Sequence, residues 1–174
     1  MPKDEQEEGT KLSQKELATV VSIQEGKREN THLDESSDPV LINVKDAWDL
    51  VKPGLEEILA DTPHLTFRPE DVYTECVEER AFLFVSQKGW AVLTREIDQF
   101  TDDATLLIWL AYAFEKRDHV WIMYGDWLHK IANEAGCVYI EGRSAVKELE
   151  EYAIATGWTV DTRVYRLKVE DNGF

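Results

Sequence analysis

Two cysteines, four histidines and one short window of mixed charge are where this 174-residue sequence could do chemistry. Cys76 and Cys137 stand far apart with no CxxC partner, which excludes zinc sites of the usual spacing and argues against a disulfide framework. Cys137 sits in the apolar run Cys137-Val138-Tyr139-Ile140 and reads as a small core residue. His119 and His129 are ten residues apart, not the four that place two ligands on one helical face; His64 follows Pro63 in a loop, and His32 lies in a polar stretch. No metal site is expected from them. A nucleophile elbow, a P-loop and a Rossmann glycine triplet are all absent from the sequence. The window Phe114–Ile122 packs Glu115, Lys116, Arg117, Asp118 and His119 together. Lys116 and Arg117 could meet a phosphate through their side chains, although loop charges are more often simply solvated. Trp109, Tyr112, Phe114, Trp121, Tyr124 and Trp127 could line a pocket, but their strand and helix spacing reads first as core.

The elements that must position these residues begin with a polar arm. Residues 1–38 hold ten acids against five bases and no aromatic side chain, too little apolar surface to offset the entropy of ordering. Within the arm, Ser13-Gln14-Lys15-Glu16 forms a capping-box pattern, and Leu17, Val20 and Val21 then share one helical face. A short helix over 14–24 follows, too short to stand alone, and these three residues are the expected contacts to a protein partner.

From residue 39 to 174 the punctuation is that of one domain. Val40-Leu41-Ile42 is a short apolar run. Asp46–Leu59 has helical spacing, interrupted by Pro53-Gly54, which predicts a split or a kink. Pro69 suits the first turn of a helix closing near Glu79. Ala81–Val85 and Trp90–Thr94 predict a hairpin, and Ala104–Ala113, apolar on both alternating faces, a central strand covered on both sides. A helix ending at Gly136, a buried strand Cys137–Ile140 and a helix Ser144–Thr156 stopped by Gly157 come next. In that last helix Val146, Leu149, Tyr152 and Ala153 point inward, and Trp158–Val160 with Arg163–Val169 form a final pair of strands. The order β-α-α-β-β-β-α-β-α-β-β calls for an α/β (α+β) fold with a mixed, mostly antiparallel sheet and helices on both faces.

That order, the long strand before a helix closing on Ala135-Gly136, and Gly157-Trp158 ahead of the last strand pair resemble the GNAT N-acetyltransferase superfamily over roughly residues 39–170. The resemblance implies a glycine-rich loop between the central strand and the next helix, whose bare N–H groups cradle the pyrophosphate of coenzyme A. The matching window, Phe114–Ile122, has no glycine and places Asp118 at the anion site, while Gly125 falls too late, within the helix. Lys116, Arg117 and His119 are then the remaining candidates for cofactor contacts, and Glu115 or Asp118 for a base near the end of the central strand. The resemblance also implies a tyrosine acid four residues before Gly157, where this chain has Ala153; Tyr152 is one place off, about 100° around the helix.

With both features altered, the sequence favours a catalytically degenerate GNAT-fold interaction protein without a cofactor. Here it resembles the small GNAT-like proteins of tailed bacteriophages, some of which are internal virion components. Its partners are expected to be proteins, either other virion components or itself. The alternative is an acetyl-CoA-dependent N-acetyltransferase with an atypical cofactor loop; a third is an acidic decoy or inhibitor of a host protein. A net charge of −16 at pH 7 opposes nucleic acid and anionic membranes as partners. The charged start, Met1-Pro2-Lys3-Asp4-Glu5, and the lack of a long apolar run give a cytoplasmic or virion-associated expectation rather than a secreted one.

Overall fold

A computed structural model describes residues 38–115, 121, 124–144 and 147–162, which form a sheet unit up to Arg143 and a second unit from Ser144. The arm, its helix over 14–24 and the contacts assigned to Leu17, Val20 and Val21 lie outside the described residues. No described helix is long and apolar enough to cross a membrane.

In the sheet unit the chain runs β1 (Val40–Leu41), α1 (Val44–Asp61), α2 (Pro69–Val77), β2 (Ala81–Val85), β3 (Gly89–Ile97), β4 (Ala104–Ala113), α3 (Gly125–Glu134) and β5 (Tyr139–Gly142). The five strands lie side by side in chain order; β1 to β4 pair antiparallel, and β4 pairs parallel with β5. The parallel step is made through α3, since parallel neighbours need a crossover.

Alternation along β2 assigns the two faces. Leu83 and Val85 join Val44, Ala47, Val51 and Leu55 of α1 and Val72 of α2 in one buried cluster. Phe84, between them, meets Trp127 of α3 edge to face at 5.0 Å on the other side. Helices therefore cover both faces, as the sequence predicts.

Of the split or kink predicted at Pro53-Gly54, the split does not occur. Helix α1 runs unbroken from Val44 to Asp61 with Pro53 inside it. One lost backbone bond is outweighed because Val51 and Leu55, on either side, are buried in the core. Gly54 lets the helix press onto the sheet: a Cβ there would stand 3.0 Å from Trp90 Cζ2 and from Tyr112 Cδ1. Pro69 opens α2 as expected, with the Arg68 backbone N–H donating to Asp71 Oδ2 at 2.8 Å. Gly136, at φ 63°, stops α3, and the Cys137 N–H donates back to Ala132 O at 2.8 Å.

The strand after α3 differs from its prediction. It is Tyr139–Gly142, shifted by two residues, and exposed at both ends rather than buried. The helix stop consumes Gly136 and Cys137, so pairing begins only where the Val138 N–H donates to Ala104 O at 2.7 Å.

In the second unit, α4 spans Lys147–Ala155 and ends at Gly157, whose φ is 95°. Trp158–Val160 is not a strand, because the Trp158 N–H donates to Ala153 O and is spent on closing the helix. Arg163–Val169 lies outside the described residues.

Candidate functional site

The sheet is irregular at one place, inside β4. Val92 pairs with Leu110 but Leu93 with Ile108, so Trp109 is an extra residue, a β-bulge. Pairing with β5 covers only Thr105 to Ile108 of β4. From Trp109 to Ala113 no described strand lies on the β5 side of β4. Among the described residues no strand pairs with the peptide groups of this stretch that turn away from β3, at the C-terminal end of a parallel pair, the end where α/β sheets place ligands. The sequence concealed this. A strand apolar on both faces has no alternation whose reversal would betray an extra residue.

Tyr112, three residues beyond the bulge, carries the polar group of this region. Its ring stacks on Trp90 at 5.5 Å with an interplanar angle of 17°, and its hydroxyl donates to Glu57 Oε2 of α1 at 2.7 Å. That hydrogen bond, burial and the neighbouring carboxylate push the phenol above its ordinary pKa, so it stays protonated. Phe114 meets Tyr112 edge to face at 6.3 Å, and Phe67 covers Trp109 at 5.5 Å. Glu57 escaped the sequence reading because nothing near it in sequence marks it. Its partner lies 55 residues away, brought there by the contact between α1 and β4.

The residues singled out from the sequence fall in different places. Glu115 is exposed in a bend two residues after β4. Lys116, Arg117, Asp118 and His119 lie outside the described residues. Gly125 is within the helix, as its spacing predicts, as the first residue of α3, and nothing lies within 4 Å of where its Cβ would be. Tyr124 is its N-cap, and the Leu128 N–H donates to Tyr124 O at 2.9 Å. Asp126 occupies the same first turn.

Tyr152 is 37% exposed on α4, not a core aromatic, whereas Leu149 and Ala153 of the same helix are half-buried. The aromatic group divides between the two faces: Trp121 and Trp127 are buried 6.0 Å apart beside α3, and Trp109 and Tyr112 pack against the opposite core. Both cysteines are free; burial pushes the Cys76 thiol up to about 12 and raises that of Cys137, so neither is a reactive thiolate. No group of side chains that could hold a metal occurs among the described residues.

No protein-family model matches the sequence, and no curated protein sequence matches it. Solved structures do match. A probable acetyltransferase superposes with a TM-score of 0.59 at 14% identity, over 78% of this chain and 100% of its own. The ribosomal-protein-alanine N-acetyltransferase of Brucella melitensis biovar Abortus 2308 gives 0.57 at 13% identity, over 76% and 100%. The aminoglycoside N-acetyltransferase AAC(6')-Iy, solved in complex with CoA, gives 0.53 at 14% identity, over 76% and 99%. At such identities the likeness concerns the backbone. The chain has the mixed-sheet GNAT acetyltransferase fold.

Proposed function

We propose that this chain is an N-acyltransferase of the GNAT fold that takes acetyl-CoA along the open edge of β4. The observation that carries the reading is the bulge at Trp109 with an edge from there to Ala113 that no strand among the described residues pairs with. An extended ligand with amide groups can pair with such an edge as an added strand would, and the pantetheine arm of coenzyme A has two amides. Gly125, the first residue of α3, offers a bare backbone N–H to a phosphate at a helix N-terminus, and a Cβ there would meet nothing within 4 Å; Asp126 in that turn works against it. Bound acetyl-CoA would supply the acetyl thioester. Among the described residues, Glu57 and Glu115 are the carboxylates at this end of β4 able to take a proton from the acceptor's ammonium group; the freed amine would then attack the thioester carbonyl, and coenzyme A would leave as its thiolate and take up a proton from solvent. Tyr112 holds the Glu57 carboxylate in place.

The test is calorimetry and thermal denaturation of the full chain with acetyl-CoA. Ligand at a hundred times its dissociation constant stabilises a protein by about 2.7 kcal/mol. Neither heat nor a shift at millimolar acetyl-CoA would end this reading.

A second reading is favoured by one sequence fact: no glycine occurs from Phe114 to Tyr124. It makes the chain a non-catalytic assembly or virion protein on the same scaffold, docking through its N-terminal arm. That reading expects no coenzyme binding, and loss of association on deleting residues 1–38.

A further inference from the structure

Four of the large apolar side chains left in water gather at one end of the sheet, opposite the open edge of β4. They are Ile97 at 49%, Phe100 at 94%, Val138 at 61% and Tyr139 at 59% exposure. The register sets them at this end. Ile97 ends β3 opposite Ala104, Val138 bonds the same Ala104 from the other side, Phe100 tips the turn between β3 and β4, and Tyr139, paired with Thr105, stands on the other face of the same end. Isolated exposed apolar residues need no explanation, but a cluster that includes a phenylalanine almost wholly in water does.

The turn presents Phe100 rather than letting it fold back. Asp98 Oδ1 accepts the N–H groups of Phe100 at 2.8 Å and Thr101 at 3.0 Å. The Asp98 N–H donates to Asp103 O at 2.9 Å, and the Asp102 N–H to Asp98 O at 3.1 Å. With the backbone of the turn fixed in this way, only the side-chain torsions of Phe100 are left to order on burial, as suits an interface anchor.

Charge selects the partner. Asp98, Asp102 and Asp103 flank Phe100, with only Gln99 and Thr101 between them. The nearby cations are engaged: Arg143 pairs with Glu96 at 2.9 Å and Glu141 at 2.7 Å, and Arg95 donates to Ala135 O at 3.1 Å. Anionic lipid and nucleic acid are repelled by this rim. A second copy, bringing the same acids and a further charge of −16, is repelled as well.

We propose that the β3–β4 turn and the start of β5 form a docking surface for a protein partner that offers an apolar socket for Phe100 ringed by lysine and arginine. The inference is independent of acyl transfer and lies at the other end of the sheet.

The test uses the full chain carrying 4-fluorophenylalanine at position 100, titrated with an amphipathic leucine–lysine peptide and with the same peptide carrying glutamate for lysine. The fluorine resonance is expected to move with the basic peptide only, and affinity to fall as salt rises. Phe100→Ala is expected to weaken binding about tenfold or more, with an unchanged melting temperature. Leu50→Ala, which trims an exposed apolar residue of α1, is expected to bind as the parent does. Equal binding by Phe100→Ala and the parent, or a fluorine resonance that stays still while the peptide binds, would show attraction by charge alone and overturn the proposal. So would equal binding of the acidic peptide, or a dimer in sedimentation velocity that Phe100→Ala abolishes.

Discussion

Replacing Gly54 by alanine sets two effects of opposite sign against each other. In the interior of a helix, alanine is favoured over glycine by about 1 kcal/mol. Against that, the added Cβ would stand 3.0 Å from Trp90 Cζ2 and 3.0 Å from two atoms of the Tyr112 ring, where about 3.5–4.0 Å is comfortable. Whether the rings can yield decides the outcome. Trp90 is fully buried, and Tyr112 is stacked on it and tied by its hydroxyl to Glu57, one turn further along the same helix. The rings cannot retreat, so the helix must lift, which stretches the bond from Tyr112 to Glu57. Overpacking of this kind costs about 1–3 kcal/mol, and with the propensity gain deducted the net destabilisation is about 1 kcal/mol. For a domain of this size that lowers the melting temperature by about 2–4 °C. Urea denaturation measures it, with Gly125→Ala as the control, since that Cβ meets nothing and the variant should be at least as stable as the parent. A Gly54→Ala protein as stable as the parent, or more so, would refute the reasoning that the two rings lock the helix.

Leu55→Ala removes a fully buried side chain between α1 and the sheet, and should destabilise by about 2–5 kcal/mol in the same denaturation assay. Cys76, with its thiol at about 12, should react with a thiol reagent at pH 8 far more slowly than a free cysteine, and only on unfolding at the free rate. Asp71 is held below its ordinary pKa, first by the Arg68 side chain and then by the Arg68 backbone N–H. Its folded pKa lies below its unfolded value, so its contribution is present above the unfolded value of about 3.9 and is lost as pH falls through the folded one. The stability gap between the parent and Asp71→Asn should therefore be open at neutral pH and close under acid, as thermal melts across pH will show.

Features set by short-range physics were legible in the sequence. The limits of β4, the β2–β3 hairpin, Pro69 at a helix start and Gly136 at a helix stop each follow from a local steric or hydrogen-bonding rule. Illegible features were those decided by partners distant in the chain. Pro53 is tolerated because burial of Val51 and Leu55 outweighs one backbone bond. Tyr112 was visible as an aromatic, but its bond to Glu57 depends on packing between α1 and β4. The bulge at Trp109 leaves no trace in a strand that is apolar throughout. Trp158–Val160 has the composition of a strand, yet its first N–H is committed to the helix before it.

The parallel step between β4 and β5 also bears on the order in which this chain folds and the ease with which it opens. Val85 meets Trp90 across a tight turn, whereas Thr105 must wait for Tyr139, 34 positions later, with α3 formed between them. Loop closure makes such contacts slow to form, so the antiparallel strands should fold first and β5 should join late. After the two-residue pairing of β1, this four-residue pairing should be the next part of the sheet to exchange its amide hydrogens, through local opening rather than global unfolding. An edge that loosens ahead of the core would widen the space beside Trp109 while leaving the rest of the sheet closed.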